Sequence, residues 1–237
     1  MNSIFERTEI IIGKESMEIL SNSTVAIFGV GGVGSFAAEA LVRSGIGKII
    51  LIDYDIIDIT NINRQIHATS KTVGEFKVEA MKERLLDINP DLDVIFHKEK
   101  YNHDTKGYLI SERYDYVIDA IDMVTSKIDL IVTCKSMNIP IISAMGAGNK
   151  LSPTRFKVGD IYNTSICPLA KVMRRELRKR AILDLKVVWS DEVPLKVNLE
   201  SEALRKAVPG SISFVPSTVG LIIASEIVKD LIGWEVS

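Results

Sequence analysis

Apolar positions along the first 150 residues alternate between short continuous runs and longer stretches in which they are spaced. The runs at Val25 to Phe28, Ile49 to Ile52, Asp93 to Phe96, Tyr116 to Ile118 and Ile139 to Ile142 predict strands buried on both faces. Between them, Gly34 to Ser44, Gly74 to Ile88 and Thr125 to Met137 carry apolar residues at helical spacing, the middle stretch stopping before Pro90. Such alternation predicts an α/β, doubly wound unit around a mostly parallel sheet. Beyond Asn149 come a strand near Phe156, a polar segment from Asp160 to Cys167, a basic helix, a strand at Val187 to Trp189 and a C-terminal helix. With no low-complexity linker or repeat between the parts, residues 1–237 read as a single domain with its sheet extended by C-terminal strands. It carries an N-terminal helical segment and a basic crossover at about 160–185.

The turn after the first strand, Gly29-Val30-Gly31-Gly32-Val33-Gly34, ends about twenty residues before Asp53, a spacing that reads as a Rossmann-like nucleotide turn. Gly29 is expected to permit the turn, Gly31 and Gly32 to let the backbone approach a phosphate, and Gly34 to let the next helix pack on the strand. On this evidence a nicotinamide cofactor and ATP both fit. Asn61-Ile62-Asn63-Arg64-Gln65 then places a guanidinium and amides after the second strand, and a guanidinium forks onto phosphate oxygens. Lys77 adds a charge near the start of a helix, and Asp122 follows the fourth strand at the sheet edge that binds ligands. There Asp122 can hold magnesium, an ion that takes one or two carboxylates and keeps water and phosphate oxygens. Together these residues favour a triphosphate. Taken singly, Asp53 also reads as a turn cap, Lys77 as a solvated helix residue, and Asp119 and Asp122 as polar punctuation after a strand.

Composition narrows the class further. Acidic and basic residues nearly cancel, 31 against 29, so nucleic-acid binding would require a local patch. Only Cys134 and Cys167 occur, far apart, and no signal segment opens the chain, which suits a reducing cytoplasm. The apolar stretch from Ile212 to Ile232 is interrupted by Pro216, Glu226, Lys229 and Asp230 and reads as a buried helix. Cys134 reads as core packing, and His67, His97 and His103 show no metal-ligand spacing.

The glycine turn with Ser35, Asp53-Tyr54-Asp55, Asn61 to Gln65, Lys77 and Asp119-Ala120-Ile121-Asp122 together resemble the adenylating domain of the ubiquitin-activating-enzyme-like (HesA/MoeB/ThiF) superfamily, over nearly the whole chain. The resemblance implies that ATP binds at Gly29, Gly31, Gly32 and Gly34, with Asp53 on the ribose and Asp55, Asn61 and Gln65 also among the ATP-binding residues. It implies Arg64 and Lys77 on the phosphates and Asp122 on Mg2+. The two Cys-x-x-Cys zinc pairs of members that feed sulfur carriers are absent. Asn63 to Ala68, Ile88-Asn89-Pro90, Gly146-Ala147-Gly148, Pro168 to Lys171 and Pro209-Gly210-Ser211 are closer to the threonylcarbamoyladenosine dehydratase family. That likeness implies ATP-dependent activation of a threonyl carboxylate on modified tRNA as an acyl-adenylate, followed by cyclisation. Ring closure needs no enzyme nucleophile, because an intramolecular attack has a large effective concentration.

Independently, Lys171, Arg174, Arg175, Arg178 and Lys179 follow helical spacing opposite Leu169, Val172, Met173 and Leu177, and after a crossover they suit a tRNA backbone. For an arbitrary protein the same face reads as solvated. Related activating enzymes form a thioester in the segment that holds Cys167, but cyclisation requires no thiol. They also carry an N-terminal arginine that reaches into the partner subunit's ATP site. Ile10 stands at one such position here and Arg7 three residues earlier on the same face, so the resemblance implies a homodimer with Arg7 in that role. Adenylation of a ubiquitin-like sulfur-carrier protein, with sulfur-transfer proteins as partners, is the alternative enzyme reading; an oxidoreductase and a nucleotide-binding module without chemistry are the others.

Overall fold

The computed structural model describes residues 3–111, 113–196 and 209–234. Its strands are β1 (Thr24–Phe28), β2 (Lys48–Ile52), β3 (Asp93–His97), β4 (Tyr116–Asp119), β5 (Ile141–Ala144), β6 (Phe156–Asp160) and β7 (Lys186–Ser190). They form one sheet in the order β3-β2-β1-β4-β5-β7-β6. All neighbours are parallel except β6, which returns antiparallel beside β7. The helices are α1 (Glu6–Asn22), α2 (Gly34–Ser44), α3 (Lys77–Ile88), α4 (Lys106–Leu109), α5 (Val124–Ser136), α6 (Pro168–Arg178) and α7 (Phe214–Leu231).

Strand alternation divides the interior into two cores. In β1, Val25 and Ile27 join the core that receives α2, α3 and α7, while Ala26 and Phe28 join the one that receives α5 and α6. Ile49 and Leu51 against Ile50 and Ile52 repeat the division in β2. A period of two is what a pleated strand covered on both faces requires. Helix α7 lies close on α2: a Cβ on Gly220 would come within 2.4 Å of the Val33 carbonyl oxygen. The C-terminal apolar stretch is therefore spent on packing, and no described helix is long and apolar enough to cross a membrane.

Several boundaries shift from the sequence reading, and two of the shifts have a cause in the backbone. The helix expected from Gly74 begins at Lys77, because Gly74 has φ +95° and Phe76 is extended and bridged to Ile56. The fifth strand begins at Ile141 rather than Ile139, whose N–H caps α5 by donating to the Cys134 carbonyl, and Pro140 has no N–H to give. Helix α1 bends at Gly13 (φ 82°, ψ 165°).

Candidate active site

The C-terminal ends of β1, β2 and β4 bring the candidate residues to one edge of the sheet. Gly29 adopts φ +93°, and a Cβ there would lie 2.6 Å from the Ala120 carbonyl oxygen. Only glycine combines that backbone with that approach. Gly34 packs as expected, since its Cβ would meet the Gly29 carbonyl oxygen at 1.9 Å. Gly31 faces open space, with only Gln65 Nε2 as near as 4.0 Å, whereas Gly32 is covered by Pro216 and the Arg64 carbonyl. The N–H groups of Gly31, Gly32, Val33 and Gly34 have no acceptor among the described residues. Amides left open where a helix starts are a ready place for an anion.

Asp53, nearly buried, accepts from Val30 N–H (2.7 Å) on Oδ2 and from Asp55 N–H (2.9 Å) on Oδ1. It thus braces the glycine turn. Burial pushes its carboxyl above the usual range, opposed by the Lys77 ammonium and the two amides. Lys77 is buried and donates to Asp55 Oδ2 at 2.6 Å, so it is not the solvated helix residue that one reading of the sequence allowed. Arg64 curls back, with Nη1 donating to the Thr60 carbonyl (2.7 Å) and Asn63 Oδ1 (2.9 Å), which leaves Nε and Nη2 without an acceptor among the described residues. Asn61 and Asp58 form a capping box, and Asn61 is buried.

Gln65 and His67 are buried with polar atoms unmatched: Gln65 Oε1 and both His67 ring nitrogens have no partner among the described residues. Burial, with the Lys77 and Arg84 charges, drives the His67 pKa down to about 4, so the ring is neutral. Asp122 is exposed in the β4–α5 loop with no partner among the described residues. Asp119, at the end of β4, is fully buried; its Oδ2 accepts from Lys127 Nζ (2.9 Å) and Ser143 Oγ (2.6 Å), and its Oδ1 from Ile121 N–H (3.2 Å). Removing one member of such a buried pair costs about 3–5 kcal/mol, while replacing both by apolar groups is often neutral or stabilising.

The sequence reading missed Lys127. The available signal was a lysine in line with Leu130, Ile131 and Cys134, the apolar stripe of α5.

On α6 the basic residues differ among themselves. Arg174 is not on an open face: its Nη1 donates to the Thr164 carbonyl (3.0 Å) and hydroxyl and so ties down the crossover. Arg175 and Lys179 share Glu176 with Arg180. Arg178 lies 5.0 Å over the Tyr162 ring, and Lys171 is exposed without a partner among the described residues. Cys167, at the start of α6, is buried. Cys134 packs in the core, where burial pushes its thiol up to about 12. Arg7 is exposed in the first turn of α1.

A doubly wound sheet with an open-amide glycine turn, a buried aspartate bracing it and cations gathered at the same edge defines a nucleotide-binding protein, and the chain belongs to the ThiF family, whose pattern matches residues 5–237. Among its relatives, the tRNA threonylcarbamoyladenosine dehydratase of Bacillus subtilis strain 168 is 49% identical, covering 96% of this chain and 94% of that one. The Escherichia coli K12 protein of the same name is 41% identical over 73% of this chain and 65% of its own length. The crystal structure of E. coli tRNA N6-threonylcarbamoyladenosine dehydratase, TcdA, in complex with ATP superposes with a TM-score of 0.87 at 34% identity, covering 97% of this chain and 93% of that one.

Proposed function

We propose that this chain is an ATP-dependent tRNA threonylcarbamoyladenosine dehydratase. The observation that carries this reading is its likeness, along nearly the full length of both chains, to the B. subtilis dehydratase. The site fits ATP by its own chemistry: four open amides suit phosphate oxygens, Gly31 leaves room for them, and the orphaned Gln65 Oε1 awaits a donor. In this reading Asp53 meets the ribose beside Asp55 and Asn61, and Arg64 and Lys77 serve the phosphates. Lys77 can do so from its pair with Asp55, since an ammonium has three donors and Asp55 occupies one. Asp122 has a free carboxylate for magnesium, which would neutralise phosphate charge.

The substrate's threonyl carboxylate attacks the α-phosphorus, and the bond to the pyrophosphate bridging oxygen breaks. The ureido oxygen then attacks the activated carbonyl, AMP departs with the former carboxylate oxygen and the ureido N–H proton is lost to solvent, so the nucleoside has lost one water relative to its carboxylic acid. The enzyme's part is to align the reactants and to place cations where charge builds up in transfer. The test is incubation with ATP, magnesium and threonylcarbamoylated tRNA, read as loss of one water from the nucleoside together with AMP release. An unchanged mass with intact substrate would reject the reading. Adenylation of a sulfur-carrier protein with a thioester at Cys167 is less well supported, because that thiol is 1% exposed.

Two further parts complete the reading. Lys171, Arg174, Arg175, Arg178 and Lys179 are assigned to the tRNA side, Arg174 by shaping the crossover. Arg7 is assigned to the partner subunit's site in a homodimer, where Ile10 and Ile11, 79% and 75% exposed on the same helix, supply apolar surface. Full activity of Arg7→Ala would reject that assignment.

A further inference from the structure

The buried pair beneath the β4 edge does more than the stability of the fold asks of it. Phe28, Asp119 and Ser143 stand in register across β1, β4 and β5, and Phe28 and Asp119 are the last residues of their strands. Asp119 and Ser143 both point toward α5, where Lys127 closes the group from the far side, also within 3.4 Å of the Asp119 carbonyl oxygen. From this anchor Asp119 Oδ1 takes the Ile121 N–H, the residue immediately before Asp122. In the same loop Ala120 N–H donates to the Phe28 carbonyl at 2.9 Å, and Ala120 O leaves no room for a side chain at Gly29. The loop bearing Asp122 and the glycine turn are thus set against each other over one buried charge pair. An apolar pair in its place would spare the fold the cost of burying two charges; it would not hold the Ile121 amide or the Ser143 hydroxyl.

We propose that Lys127 is a positioning residue of the active site: it keeps Asp119 in place under the sheet edge and, through the Ile121 amide, sets where the Asp122 carboxylate stands relative to the glycine turn. This rests on the assignment of Asp122 to magnesium above.

The experiment is calorimetric titration of the full chain with a non-hydrolysable ATP analogue, in magnesium and in EDTA, reading the factor by which magnesium tightens binding. Lys127→Met is expected to shrink that factor roughly tenfold, the low end of the usual loss when a group that orients a metal ligand is removed. Lys127→Arg should restore much of it. Asp119→Leu/Lys127→Met, which leaves no unpaired buried charge, should be thermally more stable than Lys127→Met, though below wild type because the buried Ser143 hydroxyl loses its acceptor, and still lack the magnesium gain; it stands in for Lys127→Met if the single variant does not fold. A wild-type magnesium factor in the folded single variant, or in the double variant, overturns the proposal. A wild-type factor in Asp122→Asn would instead overturn the magnesium assignment, so the two failures are separable.

Discussion

The nucleotide edge and helix α6 both looked basic in the sequence, and the fold treats their charges in opposite ways. At the edge, Lys77 and Lys127 are buried and each meets a single carboxylate across a strand boundary. On α6, three surface cations crowd one half-buried carboxylate, Glu176, and the hydrogen bonds it accepts from Lys179, Arg180 and Arg175 lower its pKa to about 2. Charges of the first kind are held in one geometry and can position a reacting group. Those of the second sit on exposed side chains, are screened by salt, and contribute a field.

This contrast is broken most directly at Lys77. Lys77→Met is expected to lower pyrophosphate release about 10²- to 10³-fold, the usual loss when one stabiliser of transferring charge is removed. Near-wild-type release would place Lys77 in the scaffold alone. Gly29→Ala is expected to cost roughly 3 kcal/mol in urea unfolding, because it combines backbone strain with a collision at Ala120. Lys171→Ala on α6 should stay within about 0.5 kcal/mol. If the two variants unfolded alike, the edge would not be rigid.

Acid should separate the regions as well. His67 has its folded pKa near about 4 through burial, against about 6.5 for an unfolded histidine. As pH falls the unfolded chain takes up its proton first, so this contribution is complete above about 6.5 and is lost down to about 4, with a slope approaching 1.4 kcal/mol per pH unit. Glu176 stays ionised throughout that window. His67→Gln should flatten the acid limb of a stability-against-pH curve; an unchanged curve would show that the ring is not held neutral.

The smallest effects are expected on α6. Glu176→Gln releases Arg175, Lys179 and Arg180 and should tighten tRNA binding by up to about fivefold, with a steeper salt dependence. Lys171→Ala/Arg178→Ala should flatten that dependence by up to about two units of slope. Unchanged binding in both variants would remove α6 from the tRNA surface.

Much of the molecule was legible along the chain. Val25 to Phe28 and Ile49 to Ile52 announce buried strands, and Gly29 and Gly34 sit where a turn and a close helix demand them. The candidate site was legible as residues that the fold brings to one sheet edge, but not as a set of contacts. Asp53 was read toward a ribose, and its carboxylate also braces the turn; Arg174 was read as surface charge, and it ties down a loop. Lys127 went unread because helical spacing reports that a position faces inward without saying what it will meet there.

By itself the sequence determined the alternation of strands and helices, the two-faced burial of each strand and the place of the glycine turn, since these follow from periods of two and 3.6 and from local backbone freedom. Only the tertiary structure decided which charges are paired and which are open. Lys77 finds Asp55 across 22 residues and Asp119 finds Ser143 across 24. Those meetings depend on strand order and register, which place distant residues within hydrogen-bond reach and cannot be read from either residue's neighbours.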